Sequence, residues 1–357
     1  NIIAVTGTRG KTTTTNWIHH LLKQKFSDSL IAGNSPDNLL LDLIEACHEN
    51  TNVVIEKPSF LLELFPKSGF APHIAVITNI YRDHLNRHGS MKEYAGVKAG
   101  IFSNQTEKDY LILNEDNEWT KFFLSLKPKS KILFFSKNPL PAGKEGIYLN
   151  NTQEVVIKLG KKEKLFKAAE FLENWGGHNL ENLLAAALTA HLKKLTAKQI
   201  SGTLTSLPEI KFREELIYSK GGLEIYNDSA ATSPEATIAA LERFGKRKKK
   251  LILISGGTDR ELDFKNWAKT VKKYLNEKNL ILLSGSATEK MKNELGWNVE
   301  EYGDLEECFT KSLINANQHK KEGVIIIFSP SSKSFEKFKN EFDRGEKYNA
   351  IVKNLLG

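Results

Sequence analysis

The chain predicts an α/β protein in two domains: a central P-loop-type parallel sheet domain over 1–207, then a Rossmann-like α/β domain over 208–357. Three observations point there. Short apolar runs alternate with helical patterns, the rhythm of βαβ units whose parallel sheet is covered on both faces. A glycine-rich turn joins the first apolar run to the first helical stretch. The rhythm pauses at Leu207-Pro208, which reads as a hinge, and then restarts. A chain of 357 residues also exceeds one ordinary core, so two domains are the default.

Each element has its own warrant. Residues 2–5 are an apolar strand, and 16–22 carry the apolar side of a helix. Strands are expected at 53–55, 74–77 and 110–113, with helices at 38–49 and 90–102 between them. Residues 146–159 alternate around Asn150-Asn151 and predict a small antiparallel hairpin at the sheet edge. Helices follow at 178–192 and 197–206. Past the hinge, 216–218 and 223–226 flank Gly221-Gly222 as a hairpin. Strands at 251–254, 280–284 and 324–328 then alternate with helices at 263–275, 287–295 and 334–342. Pro234 marks one more helix start, capped by Thr232 or Ser233.

The turn after the first strand carries the clearest chemistry. It reads Val5-Thr6-Gly7-Thr8-Arg9-Gly10-Lys11-Thr12-Thr13. Strand, glycine-rich turn and helix together cradle a nucleotide triphosphate, because turn N–H groups and the helix N-terminus point at phosphate oxygens. Gly7, Thr8, Gly10, Lys11, Thr12 and Thr13 are therefore the candidate nucleotide contacts. Lys11 would reach the β- and γ-phosphates, and the Thr12 hydroxyl would coordinate Mg²⁺. The loop lacks the usual first glycine, since Val5 stands there. A turn that only opens a helix would not need a Lys-Thr pair directly after Gly10.

Other candidates sit at strand ends, where ligands collect in open α/β sheets. Glu56 ends the 53–55 strand and can share Mg²⁺ with Thr12; alone it would read as an exposed acid. Asp83-His84 follows the 74–77 strand and suits a metal ligand or a substrate contact. Lys98 lies in a helical stretch and, on its residues alone, is an ordinary solvated lysine. Asn179 and Asn182, three apart at a helix start, can face a base or ribose or simply open the helix. In the second domain Asp228 can accept from a ribose hydroxyl. The blocks 229–234, 255–259 and 329–334 are rich in hydroxyls and suit either a carboxylate ligand or a capping turn.

Composition narrows the classes. Hydrophobic residues make up 40% and charged ones 26%, as in soluble globular proteins. No apolar run approaches the ~20 residues needed to span a bilayer. Cys47 and Cys308 are far apart and unpatterned, which argues against a disulfide scaffold or zinc site and fits a reducing cytoplasm. The net charge of +8 suits anionic nucleotide substrates. The run 246–250 reads as a solvated lead-in to a strand, with no aromatic platform for nucleic acid. No nucleic-acid or membrane partner is expected, and the chain is expected to be a monomer. It begins on a strand without Met, so an upstream segment is expected to be absent from this numbering.

These pieces, in this order, resemble the Mur ligase family. The resemblance rests on Gly7 to Thr13, Glu56 to Glu63, Thr78-Asn79-Ile80 with Asp83-His84, Lys98, and Gly177-His178-Asn179 with Asn182. It continues through Arg213, Asn227-Asp228-Ser229, Gly256-Gly257 and the block from Ser329-Pro330 to Arg344-Gly345. It implies an ATP-dependent ligase that forms an amide through an acyl phosphate, with a central ATP-binding domain and a C-terminal domain for the incoming amino acid. It implies two Mg²⁺ ions, held by Thr12, Glu56, His84 and a carbamylated Lys98, with Lys11, His84 and Lys98 as the catalytic set. It also implies Asn179, Arg213 and Asp228 on ATP, and Thr232, Arg260, Ser334 and Phe335 near the amino acid. The last block resembles the branch that joins D-glutamate to UDP-N-acetylmuramoyl-L-alanine in peptidoglycan synthesis. Such enzymes carry a UDP-binding domain upstream of the phosphate loop, which this numbering lacks. The resemblance is weaker at Leu61, Phe212, Ala230 and Arg260, where that branch carries Gln, His, Lys and Lys. Polyglutamate-type and folylpolyglutamate-type ligases, which Arg9 resembles, and a non-catalytic ATP-binding subunit are the alternatives.

Overall fold

The computed structural model describes residues 1–33, 43, 45–83, 85–259, 261–319 and 322–357. The chain divides into two compact units, Asn1–Pro208 and Glu209–Gly357.

The first unit runs β1 (Ile2–Thr6), α1 (Lys11–Lys23), β2 (Leu30–Ala32), β3 (Val53–Glu56), α2 (Ser59–Leu62), α3 (Phe65–Ser68), β4 (Ile74–Ile77), α4 (Leu85–His88) and α5 (Met91–Ala99). It continues with β5 (Tyr110–Asn114), α6 (Thr120–Ser125), β6 (Lys131–Ser136), β7 (Gly146–Leu149), β8 (Glu154–Leu159), β9 (Lys161–Lys167), α7 (Ala169–Trp175), α8 (Gly177–Leu192) and α9 (Ala197–Gly202). Among the described residues the sheet order is β2-β3-β1-β4-β5-β6-β7-β8-β9. Pairing is parallel up to β7 and antiparallel beyond.

Strand side chains alternate between faces, so paired positions share a face. Ile3, Val54, Ile74 and Ile112 pack with Trp17, Ile18 and Leu21 of α1 and Leu180, Leu183 and Leu184 of α8. Ala4, Ile55, Ala75 and Leu111 pack on the opposite face with Tyr94, Ala95, Ile101 and Phe123. Both faces are thus dry, as the unbroken apolar runs require. The register aligns Val5 with Glu56 and Thr6 with Ile77, so the three central strands end together. The candidate loop lies at that end.

The expected 146–159 hairpin forms, but it is not the edge. The lysine-rich β9 pairs outside it, a strand that its charge concealed. Lysine on an edge strand discourages pairing with another chain. Of the helix expected at 38–49, residues 38–42 and 44 lie outside the described residues, and 45–49 are turns and coil rather than helix.

The second unit runs β10 (Glu215–Lys220), β11 (Leu223–Asn227), α10 (Pro234–Phe244), β12 (Lys250–Gly256), α11 (Lys265–Tyr274), β13 (Leu280–Leu283), α12 (Ser286–Leu295), β14 (Glu301–Tyr302), α13 (Leu305–Asn317), β15 (Val324–Phe328) and α14 (Glu341–Leu356). Its sheet order is β10-β11-β15-β12-β13-β14 among the described residues, with only β10–β11 antiparallel. Leu253, Leu282 and Ile327 pack with Leu241, Trp267 and Met291 on one face. Ile252, Ile281 and Phe328 pack with Phe309, Tyr348 and Val352 on the other.

The helix expected at 334–342 is corrected. Residues 335–340 are turns and bends, and α14 starts at Glu341. The reason is local: the Asn340 side chain accepts from the N–H groups of Phe342 and Asp343, a cap that fixes the start there. Ser233 does precede α10, but neither it nor Thr232 caps by its side chain; Pro234 opens the helix alone. Among the described residues no helix is long and apolar enough to cross a membrane.

Candidate active site

The loop between β1 and α1 is held in shape from outside. Gly7 takes φ +148°, and a Cβ there would lie 1.9 Å from Thr78 Oγ1. Gly10 caps α1 with a left-handed φ of +76°, where a Cβ would fall 2.1 Å from Asn182 Oδ1. The residues just past β4 clamp the turn. Thr78 Oγ1 donates to Arg9 O at 2.7 Å, and Asn79 Oδ1 accepts from Arg9 N at 2.8 Å. The Thr8 N–H donates to Asn79 O at 2.9 Å, and Thr8 Oγ1 accepts from the Tyr81 N–H at 3.0 Å. Sequence reasoning alone does not mark Thr78 and Asn79 as site residues. Their signal was available: a short polar pair at the tip of an apolar strand beside the loop strand.

Lys11 and Thr12 open α1, with Lys11 Nζ donating to Thr8 O at 3.1 Å. Thr12 O accepts from Asn16 Nδ2 at 2.9 Å, and the Thr13 side chain is buried. Asn182 reaches this loop from α8, beside Gly10, with Asn179 bonded to it. Asn182 Nδ2 donates to Asn179 Oδ1 at 3.0 Å, and Asn182 Oδ1 accepts from Thr14 Oγ1 at 3.3 Å.

Lys98 is not the solvated lysine its residue type suggests. It is 1% exposed on α5, donating to Gly7 O at 2.8 Å with its ammonium 4.7 Å from the Tyr94 ring centroid. Burial, then the charge of Lys11, pushes its pKa well below the usual lysine range, against the pull of Asp83 and Glu56. Burial likewise pushes the Tyr94 phenol up to about 12. Glu56 is buried at the tip of β3. Lys11, Glu56, Asp83 and Lys98 therefore share one electrostatic neighbourhood. His84 lies outside the described residues. Among the described residues no group of three or more His, Cys, Asp or Glu is poised as a metal site.

In the second unit Asp228 is buried at the end of β11. It accepts from the Glu214 N–H at 3.1 Å and from Ser329 Oγ at 2.6 Å. Burial, then the neighbouring Glu214 carboxylate, raises its pKa well above the usual range. Arg213 is exposed. The hydroxyl blocks divide. Ser329, Ser331, Thr237 and Ser255 bond one another in a fully buried network. Thr232 accepts from Lys333 Nζ at 3.3 Å, whereas Ser334 Oγ is buried with no hydrogen-bond partner among the described residues. Phe335 is 52% exposed, and Arg260 lies outside the described residues. Arg344 is fully buried. Its guanidinium donates to Ser229 O, Ser332 O and Lys333 O at 2.8 to 3.1 Å, tying the two loops together.

A phosphate-type loop on a parallel sheet, followed by a second α/β unit, defines a class, and comparison with known proteins names it. Residues 5–190 match the Mur ligase middle domain, and the chain belongs to the Mur ligase family. It is 34% identical to the UDP-N-acetylmuramoylalanine–D-glutamate ligase of Clostridioides difficile (strain 630), over 99% of this chain and 75% of that one. The enzyme of the same name from Pelotomaculum thermopropionicum is also 34% identical, with the same coverage. Among solved structures, MurF from Acinetobacter baumannii superposes with TM-score 0.72 at 17% identity, covering 99% of this chain and 76% of that chain. The MurF ligase from Thermotoga maritima in complex with ADP superposes at 0.66 and 19% identity, over 99% of this chain and 81% of that one.

Proposed function

We propose that the chain is an ATP-dependent ligase that joins D-glutamate to the carboxylate of UDP-N-acetylmuramoyl-L-alanine, forming an amide in peptidoglycan precursor synthesis. The observation that carries this reading is the likeness, along nearly the whole chain, to enzymes that bear that name. The domain at 1–207 binds ATP, and the one at 208–357 binds the amino acid. The enzyme works in the cytoplasm as a monomer, without nucleic-acid or membrane partners.

The substrate carboxylate attacks the γ-phosphorus, ADP leaves, and an acyl phosphate results. The amine of the amino acid then attacks the acyl carbon, and phosphate departs from the tetrahedral intermediate. The N–H groups of Gly10 to Thr13 at the start of α1 hold the phosphates, and Lys11 offsets charge growing on the transferred oxygens. Asn179, Asn182, Arg213 and Asp228 contact the nucleotide. Thr232, Arg260, Ser334 and Phe335 receive the amino acid; the unpartnered Ser334 hydroxyl fits such a role.

The residues present fit magnesium. Glu56 is a buried carboxylate beside the loop, and Thr12 adds a hydroxyl at the helix start, a hard-oxygen set. Thr12, Glu56, His84 and Lys98 would hold two ions, which would stabilise charge on the phosphoryl oxygens. An ammonium at Lys98 would repel such ions. Its depressed pKa favours the neutral amine, which adds to CO₂ and releases a proton to give an anionic carbamate.

The test is phosphate release from ATP with UDP-N-acetylmuramoyl-L-alanine and a panel of D- and L-amino acids. Release that needs both the nucleotide substrate and D-glutamate is expected. Release with a folate or polyglutamate acceptor instead would replace this reading with the polyglutamate type. Silence throughout, despite ATP binding, would leave a non-catalytic subunit.

A further inference from the structure

The backbone that presents Arg213 is strained on both sides. Phe212 sits at φ +63° and Glu214 at φ +49°, in the left-handed region that non-glycine residues occupy only when their surroundings impose it. The first of these constraints is packing. The buried Phe212 ring meets Phe342 with centroids 6.2 Å apart and lies over Gly345, where a Cβ would come within 2.4 Å of it. The second is hydrogen bonding of its main chain: Phe212 O accepts from Ala230 N at 2.9 Å, and Phe212 N donates to the Glu215 carboxylate Oε2 at 2.9 Å.

The third is an ion pair. Arg243, in the last turn of α10, donates to Glu214 Oε2 at 2.5 Å, with both side chains only 8% exposed. The guanidinium lies 4.7 Å from the Phe244 ring centroid. Glu214 in turn gives its N–H to Asp228 Oδ1. One buried pair therefore holds both the strained turn carrying Arg213 and one oxygen of Asp228. It also offsets a second carboxylate that would otherwise stand buried against Asp228.

We propose that Glu214 and Arg243 are positioning residues for ATP, clamping the left-handed turn so that Arg213 and Asp228 are pre-set for the nucleotide. The inference rests on the reading of Arg213 and Asp228 as nucleotide contacts. Neither residue of the pair touches the reacting atoms. Their effect is on affinity for ATP, and pre-organisation is the means.

The experiment is calorimetric titration of the full chain with a non-hydrolysable ATP analogue, alongside KM for the amino acid and the thermal midpoint. The paired variant Glu214→Leu/Arg243→Met keeps apolar packing and removes both charges of the pair together. Its Kd for the analogue should rise about ten-fold, the size of one lost hydrogen-bonded contact, while KM for the amino acid moves less than about two-fold. Arg243→Lys keeps the charge but not the planar fork, and should weaken the analogue about three-fold with the fold intact. This single variant decides the matter if the pair variant does not fold. Unchanged analogue affinity in a folded variant overturns the clamp and leaves the pair a purely structural bridge. Arg213→Ala and Asp228→Asn separate the two levels. If they weaken the analogue and the pair variants do not, only the clamp fails; if neither weakens it, the nucleotide reading of this turn fails and the clamp with it.

Discussion

At the scale of single residues, the loop depends on atoms that are absent. Gly10→Ala would force a left-handed side chain against Asn182 Oδ1. It should cost about 1–2 kcal/mol of stability and weaken ATP at least ten-fold, as denaturant melts and nucleotide titration would read. Lys98→Ala should abolish phosphate release, and a short-chain carboxylic acid should restore part of it by supplying the lost anion; full activity in the variant would end the carbamate reading. Asp228 makes a pH prediction. Its folded pKa is raised, so the folded chain holds the proton more tightly than the unfolded one. The stability it confers is complete below the ordinary carboxylate range and is lost as pH rises through the raised value. Asp228→Asn should therefore match the parent in acid, melt higher in mild alkali, and bind ATP less well. The glycine and lysine of the loop were plain in the sequence because turn chemistry is local. The burial of Lys98 was not, since nothing within α5 distinguishes a lysine facing Gly7 O from one facing water.

At the scale of elements, what is local was legible and what is imposed was not. The apolar runs 2–5, 53–55, 74–77 and 324–328 are buried on both faces and read directly as strands. The lysine-rich β9 has no such run and exists because β8 offers it an edge. The 334–342 stretch has helical composition, yet the Asn340 cap delays the helix to Glu341, and Arg344 pins Ser332 and Lys333 just before the stretch. Burial pushes that guanidinium down to about 10, although carbonyls and Ser229 Oγ surround it. Arg344→Met should cost about 3 kcal/mol or more, because it strands several carbonyls at once. Thermal unfolding would measure the loss. A midpoint unchanged from the parent would show that the loops hold without it.

At the scale of the molecule, each unit has its own pair of apolar clusters, one on each face of its own sheet. The piece Glu209–Gly357 expressed alone should then melt in a single cooperative transition, followed by circular dichroism; a non-cooperative slope would show that its core needs the rest of the chain. In the second unit Asp228 and its neighbour Ser229 become fixed by partners far along the sequence. Ser329 bonds Asp228, and Arg344 bonds Ser229 from 115 positions downstream.

That separation matters while the protein is being made. A ribosome delivers the Asn227-Asp228-Ser229 segment long before Ser329 and Arg344 exist, so those loops emerge with no partner to organise them. The second unit therefore stays unfinished, with the loops around Asp228 and Ser229 lacking their tie, until α14 has been translated.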